Sequence, residues 1–519
     1  MANFFGGLND DFWTGDNTDE VAFGEAGADR LNGGGGNDEV YGGTGDDVLT
    51  AGAGADLLDG GADNDVLRGG LGDDMLLGGE GNDRLYGDQG SDFMFGGAGN
   101  DILYGFDGGD TFDGGEGDDM VSFALSGSAV SLDFVLNAFG GAAAGSSFSS
   151  IELFNLSAHS DYFRWSGSDN IIVDGGAGHD SLQGGYGNDR ITGGSGDDYI
   201  YASDGNDILE GGPGADTLDG SWHVDTVTYA SSTSGVTIDL DDGSVNTGDA
   251  AGDSFLNIEA FTLTRFSDTF YGSDFVDDNV RGGTGNDSLF GRDGQDLLRG
   301  ENGADTLDGG AGNDVLEGGL GADTLIGGDG VDIAFYGRAA SAVTINLTSG
   351  AHVGEAYRDT FSGIELYSLS QNNDRFTGDA SDNRANGQAG DDVLSGMAGR
   401  DLLQGGAGSD SINGGDGADI LMGEAGDDFL YAGVDSQADQ FRYRTGDFGH
   451  DVLFDFDQGE DKIVINSGAG GAYDANDFVI GAGLYGVTLT LPDGSVIEVA
   501  GYGPGDIEVS DFIFSGGPI

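Results

Sequence analysis

The feature that most constrains this chain is a nine-residue register. From Gly24 it reads GEAGADRLN, GGGGNDEVY, GGTGDDVLT and AGAGADLLD without a slip, and the same frame covers thirteen consecutive nonads over Gly6–Ser122. Six more nonads run over Gly175–Thr228, six over Gly282–Phe335 and five over Gly387–Tyr431. A fixed short period on this scale marks a stacked repeat, so repeats set the organisation before any local reading does.

Each place in the nonad has its own chemistry. Positions 1, 2 and 4 favour Gly, which permits positive φ and close approach of backbone to a ligand. Position 8 is nearly always apolar, as in Leu31, Val40, Leu49, Leu58, Leu67, Leu76 and Leu85. Three residues with the middle one pointing inward read as a very short strand, and the six before it as a turn. A strand that short must stack on its neighbours, as in a solenoid.

Position 6 carries the function. It is Asp in 29 of the 30 nonads, the exception being Glu20. An Asp beside Gly often caps its own turn, but that role would also admit Asn and Ser. Aligned turns bring these carboxylates together, which is repulsive without a cation. Carboxylate oxygens with Gly-turn carbonyls, and no His or Cys, specify Ca²⁺ over zinc or copper. The candidate metal ligands in the first block are Asp11, Asp29, Asp38, Asp47, Asp56, Asp65, Asp74, Asp83, Asp92, Asp101, Asp110 and Asp119. The second block supplies Asp180, Asp189, Asp198, Asp207 and Asp216, and the third Asp287, Asp296, Asp305, Asp314, Asp323 and Asp332. The fourth supplies Asp392, Asp401, Asp410, Asp419 and Asp428.

The pattern G-G-x-G-x-D-x-U-x resembles the nonapeptide of the RTX (repeats-in-toxin, haemolysin-type calcium-binding) family. The resemblance implies an all-β, right-handed parallel β-roll or β-solenoid with two nonads per turn. Ca²⁺ would lie between stacked turns, held by the position-6 carboxylate and the carbonyls of positions 2 and 4. Each ion would join a nonad to the one two further on, for roughly 20 ions in all. Three places depart from the pattern: Asp63 stands for Gly at position 4, Gly220–Asp225 (GSWHVD) loses its glycines, and Glu20 replaces Asp.

Composition narrows the function. The formal charge is −77, from 94 acidic and 17 basic residues, and Lys462 is the only lysine. Phosphate recognition needs clustered Lys and Arg, so this balance argues against nucleic acid or an anionic membrane as partner. There are no cysteines, which rules out disulfides, thiolate zinc and cysteine nucleophiles. No apolar run is long enough to span a membrane. The first residues lack the basic and apolar regions of a signal peptide, so export is expected to use another signal.

The expected division is a first roll at 1–122, β-rich inserts at 123–174, 229–281 and 336–386, rolls at 175–228, 282–335 and 387–431, and a C-terminal cap at 432–519. The inserts repeat one another at about 107 residues. They open with MVSFALSGSAVSLDF, TVTYASSTSGVTIDL and IAFYGRAASAVTINL, and each later carries an Ile-Glu pair, at Glu152, Glu259 and Glu365. Each then reaches Ser/Asn-Asp, at Asp161, Asp268 and Asp374, before the roll resumes. They read as a continuation of the solenoid with longer turns and fewer ligands; the rival is a carbohydrate- or partner-binding module. In the cap, Pro492-Asp493-Gly494 between alternating apolar residues predicts a hairpin. The stretches Asp451–Phe456 and Asp511–Phe514 resemble the C-terminal flank and uncleaved signal of RTX proteins exported by type I secretion.

Catalytic motifs are missing: the five histidines form no H-E-x-x-H, and there is no G-x-S-x-G or P-loop. His179 and His223 fall at turn positions. The expected function is that of a non-enzymatic, secreted or cell-surface calcium-binding repeat protein that folds on Ca²⁺ binding outside the cell, with a structural, cell-surface or matrix interaction role and self-association as a further expectation. Its sites would have the affinity of extracellular modules, roughly 10⁻⁴–10⁻³ M. The expected partners are Ca²⁺, the type I secretion machinery, and another copy or a surface polysaccharide. The alternative is an extracellular hydrolase or epimerase with a site in the inserts. Alternate nonads should lie on opposite faces, leaving an apolar strip around Leu57–Phe95 that a covering group is expected to bury. Only Thr44 and Thr284 occupy position 3 among threonines, which argues against an ice-binding row.

Overall fold

The computed structural model describes residues 3–106, 108–274, 276–444, 446, 448–466 and 478–515. Parts of the C-terminal cap, 467–477 and 516–519, therefore lie outside the described residues. The chain forms an all-β parallel solenoid, divided into two compact units, Met1–Thr264 and Arg265–Ile519. Among the described residues helix is confined to single 3₁₀ turns such as Gly243–Val245 and Gly354–Ala356. Among the described residues no helix is long and apolar enough to cross a membrane.

In the first roll each strand pairs in parallel with the one eighteen residues on, as Val48↔Val66 and Glu39↔Leu57 show. Two nonads thus make one turn, and alternate nonads build opposite faces. One face carries Val21–Ala26, Glu39–Thr44, Leu57–Ala62, Met75–Glu80, Phe93–Ala98 and Thr111–Glu116 in order. The position-8 residues of both faces meet in the middle: Leu31 is 1% exposed, and Val40, Leu49, Leu58, Leu67 and Leu76 are fully buried. Each stabilises the fold by about 1.5–3 kcal/mol. The strands are longer than the three residues the pattern suggests. Val48–Ala53 runs from position 7 to position 3 of the next nonad, because Gly52↔Gly70 and Ala53↔Leu71 pair as well. In the second roll many, such as Ser181–Gln183, stay at three.

The inserts continue the stack and change its partners. In the first, Met120–Ser122 pairs with Leu153–Asn155, so one face carries on, while the other ends at Ser147–Ser149. A new sheet then begins at Val130–Asp133, which pairs with the antiparallel Ala138–Gly141 and with Tyr162–Arg164. Phe134 packs at the switch against Phe139, Phe148 and Phe154, with centroids 5.2–5.6 Å apart. In the C-terminal segment Gly486–Thr490 and Val496–Ala500 form the antiparallel hairpin across Pro492–Gly494, and Phe512–Ser515 lies beside Lys462–Asn466.

The apolar strip on the first roll is real but open. Phe5, Phe23 and Tyr41 stack at 5.4 and 4.9 Å, and further along the face Met75 and Phe93 remain 44% and 36% exposed. Leu57, Leu77 and Phe95 are half-buried, and no segment among the described residues of the unit buries Met75 or Phe93.

Candidate metal centre

The position-6 carboxylates form columns along the stack. The backbone N–H of each donates to Oδ1 of its counterpart one turn on: Asp29 to Asp47, and Asp47 to Asp65, both at 2.7 Å. The same bond joins Asp287 to Asp305 and Asp392 to Asp410 at 2.8 Å. Of the 28 predicted ligands, 27 are buried, and Asp11, in the first turn, is half-buried.

The second carboxylate oxygen distinguishes a metal site from a simple turn. In 25 of the 28, Oδ2 is buried with no hydrogen-bond partner. A buried carboxylate oxygen without a donor is strongly disfavoured unless a cation meets it. The backbone around it is oxygen-rich. A methyl group added to Gly42, at position 1, would lie 2.3 Å from Asp47 Oδ2 and 2.6 Å from the Gly60 carbonyl oxygen of the next turn. At position 2, one on Gly43 would lie 2.2 Å from the Glu25 carbonyl oxygen; at position 4, one on Gly54 would lie 1.7 Å from that of Gly36 and 2.9 Å from Asp56 Oδ1. Glycine is needed here because oxygens of two turns converge where a side chain would go. Among the described residues no three His, Cys, Asp or Glu side chains cluster as a side-chain-only site would require. The donor set is one carboxylate per turn plus main-chain carbonyls, and hard oxygens of that kind suit Ca²⁺.

Burial pushes these carboxyls up. Asp65 and Asp392 rise to about 8, and Asp74, Asp180, Asp287 and Asp428 to about 7. Desolvation is the main cause; the accepted backbone N–H opposes it, and neighbouring carboxylates add to it. Without a cation the columns favour protons over negative charge.

Three predicted ligands differ. Asp189 Oδ2 accepts the Gly185 N–H at 2.9 Å and Asp11 Oδ2 that of Gly7 at 2.7 Å, closing both turns on themselves. The Asp110 N–H donates to Ser146 Oγ at 3.1 Å, where one column of the first roll stops. Glu20 takes the Asp place despite its extra methylene: its N–H donates to Asp38 Oδ1 at 2.8 Å, and its Oε2 is buried without a partner. Asp63, at position 4, keeps the positive φ of the glycine it replaces, 77°.

The structure also adds members to the columns. Asp225, passed over because its glycines are lost, accepts the Asp207 N–H at 2.8 Å, and its Oδ2 is buried and unpartnered. Asp439 and Asp451 extend the last roll, accepting from Asp419 at 2.7 Å and Asp428 at 3.1 Å. The insert residues close columns. Glu152, Glu259 and Glu365 accept the last N–H of one face, from Asp119, Asp225 and Asp332. On the other face Asp253 and Asp359 accept from Asp216 and Asp323, and their Oδ2 atoms take the hydroxyls of Tyr229 and Tyr336 at 2.6 and 2.7 Å. Asp161 and Asp374, which restart the columns, are capped by Ser157 and Ser370.

A family model described as the RTX calcium-binding nonapeptide repeat (4 copies) matches residues 14–49, 50–85, 86–121, 174–209, 201–231, 273–307, 299–334, 370–403 and 395–430. A solved structure, the extracellular lipase LipA from Serratia marcescens, aligns at 18% identity over 48% of this chain and 40% of the lipase, with a TM-score of 0.16. At that score the likeness carries no argument about fold or activity. No curated protein matches the chain. The family matches cover more than half of the sequence and coincide with the four blocks of aligned carboxylates, so this chain belongs to the RTX calcium-binding nonapeptide repeat family.

Proposed function

We propose that the protein is an extracellular calcium-folded scaffold, exported by a type I machinery, that acts through its surface and not through catalysis. The observation that carries this reading is the set of 25 buried, unpartnered Oδ2 atoms in register. Each marks a place where the fold has removed water and left a carboxylate oxygen for a cation to meet. The ions would be held by the position-6 carboxylates with carbonyls of adjoining turns. The number is on the order of 20, lower than the number of carboxylates because each ion bridges two turns.

The mechanism is folding linked to metal. At low calcium the repulsion of a chain with net charge −77 keeps it expanded. At millimolar calcium the ions bind only the stacked state, and binding free energy becomes folding free energy. The open apolar strip with Met75 and Phe93 supports contact with a second molecule, for which another copy of this chain is our choice. The test is a Ca²⁺ titration followed by far-UV circular dichroism and sedimentation together. A coil-to-β transition accompanied by association supports the reading in full. Folded β-structure in excess chelator would overturn it, and a compact monomer would remove self-association from it.

A further inference from the structure

A concavity rich in aromatic side chains lies along the second roll and the end of the insert that precedes it. It has a volume of about 540 Å³ and is walled by Trp165, Tyr186, Tyr201 and Trp222. That size lies within the roughly 300–1,000 Å³ of ordinary small-molecule sites. Two of the chain's three tryptophans are in it. Trp222 and Tyr186 present 70% and 66% of their surface to solvent, while Trp165 is anchored edge-on against Phe134 at 4.8 Å. Gly167 and Gly185 make room for the indole: a methyl group on either would lie 2.6 Å from its Nε1 or 2.7 Å from its Cδ1.

The third roll provides an internal control, because the strands correspond one to one. Where the second roll has Trp165, Tyr186 and Trp222, the third has Gly272, Asp293 and Asp329. Where the second has Ser203, Ser221 and His223, the third has Gly310, Gly328 and Gly330. Those glycines have φ of 98°, 112° and 150°, and Ser203, Ser221 and His223 keep the same sign at 91°, 78° and 84°. Positive φ suits glycine and strains other residues, and the solenoid accepts that strain elsewhere too, as at Glu25, Arg292 and Glu301, so these turns add polar side chains to the cavity without by themselves marking it. The aromatic walls stand at these places in the second roll and are missing from their counterparts in the third.

The polar groups are held in place. Asp204 pairs with His223 Nδ1 at 2.7 Å, Tyr201 Oη meets Ser221 Oγ at 3.2 Å, and Ser203 Oγ donates to the Gly184 carbonyl at 3.0 Å. Gln183 adds an amide. Asp204 is the only carboxylate in the lining and is held by His223, and the chain's net charge of −77 disfavours a polyanion. Aromatic faces beside fixed hydroxyl, amide and carboxylate groups match a ring with an apolar C–H face and a rim of hydroxyls.

We propose that this cavity is a binding subsite for a neutral pyranose polymer, an uncharged polysaccharide of a cell surface or matrix. The assignment rests on the reading of the protein as an extracellular interaction scaffold and names its partner class. The test uses the full calcium-loaded chain, titrated with cellohexaose, chitohexaose and polygalacturonate and followed by calorimetry and tryptophan emission. Saturable binding of a neutral hexasaccharide with a shift in emission is expected. Trp222→Asp and His223→Gly install the residues of the third roll, so both should keep the calcium-induced β-structure. Trp222→Asp should weaken binding by about tenfold or more, and His223→Gly by less. Preference for polygalacturonate, unaltered affinity in Trp222→Asp, or no binding of either neutral sugar by the folded chain would overturn the subsite and leave the calcium reading intact. Sugar binding by a chain that folds in chelator would keep the subsite and overturn the calcium reading.

Discussion

Asp216 and Asp253 occupy neighbouring turns of one column and differ by a single hydroxyl. Asp216 donates its N–H to Asp253 Oδ1 at 2.9 Å, yet its own Oδ2 is buried with no donor. Asp253 Oδ2 takes the Tyr229 hydroxyl at 2.6 Å. The rolls leave their carboxylates open and the junctions close them. The third insert repeats the arrangement with Tyr336 and Asp359, whereas the first has Phe123 and Ser146 in the corresponding places and neither group. Hydroxyl and carboxylate appear together and vanish together, as expected when a buried carboxylate must have a donor. The open carboxylates of the rolls therefore require another partner, and a divalent cation is the one their oxygen-rich surroundings suit.

The largest effect that separates the two regions is metal removal. In excess chelator at pH 7.5 the rolls are expected to lose their β-structure, with the far-UV signal collapsing and the hydrodynamic radius rising toward an unfolded chain. Persistence of the rolls would erase the distinction between open and closed carboxylates.

Acid should replace calcium in part. The open carboxyls rise from their ordinary 3.8 to about 6 in Asp47 and Asp314, about 7 in Asp74 and about 8 in Asp65. The folded state therefore holds more protons than the unfolded one. Metal-free folding is favoured below 3.8 and loses stability as pH climbs from there through about 6–8. With calcium present the dependence reverses, because protons compete with the ion, and the calcium midpoint falls as pH rises across the same window. A pH series of circular dichroism, with and without chelator, checks both signs; parallel slopes would contradict them.

A smaller effect comes from the glycines between turns. Gly72 has a φ of 124°, and a methyl group there would lie 1.5 Å from the Gly54 carbonyl oxygen. Gly350 also has positive φ, 66°, with open space around it. Gly72→Ala should cost about 2–3 kcal/mol and raise the calcium midpoint, while Gly350→Ala costs about 1 kcal/mol through backbone strain and leaves the midpoint unchanged. Denaturant titration at fixed calcium gives the first quantity and calcium titration the second.

An effect of similar size, confined to stability, is expected at the junction. Tyr229→Phe removes the donor from Asp253 and should cost about 1.5–3 kcal/mol in calcium-loaded protein without changing how many ions bind. The double variant Tyr229→Phe/Asp253→Ser recreates the pair of the first insert and should recover most of that loss. Failure of the double variant to recover would mean that hydroxyl and carboxylate are not coupled.

The rolls were legible because one residue type recurs at one interval. Leu49 and Asp47 could be assigned to core and column from their spacing alone. The inserts were legible only at their edges: Glu152, Glu259 and Glu365 stood out as repeated Ile-Glu pairs, but nothing in a pair says that it accepts the last N–H of a column. Asp253 and Asp359 were not found, because they follow Asp216 and Asp323 by 37 and 36 residues in place of 18. Asp225 was passed over for its lost glycines, although its backbone N–H partner depends on the stack and not on the turn's composition. The aromatic concavity was hidden because Trp165, Tyr186 and Trp222 lie in three separate turns.

The sequence by itself determined the solenoid, the chemistry of its columns and the preference for a hard divalent cation, since a nine-residue period leaves a short strand no other way to bury position 8. Only the tertiary structure decided which carboxylates stay open, which are closed by a tyrosine or serine, and where aromatic side chains from separate turns meet. Those outcomes depend on hydrogen-bond donors and walls contributed from tens of residues away, and a local pattern contains no record of what the stacking will bring beside it.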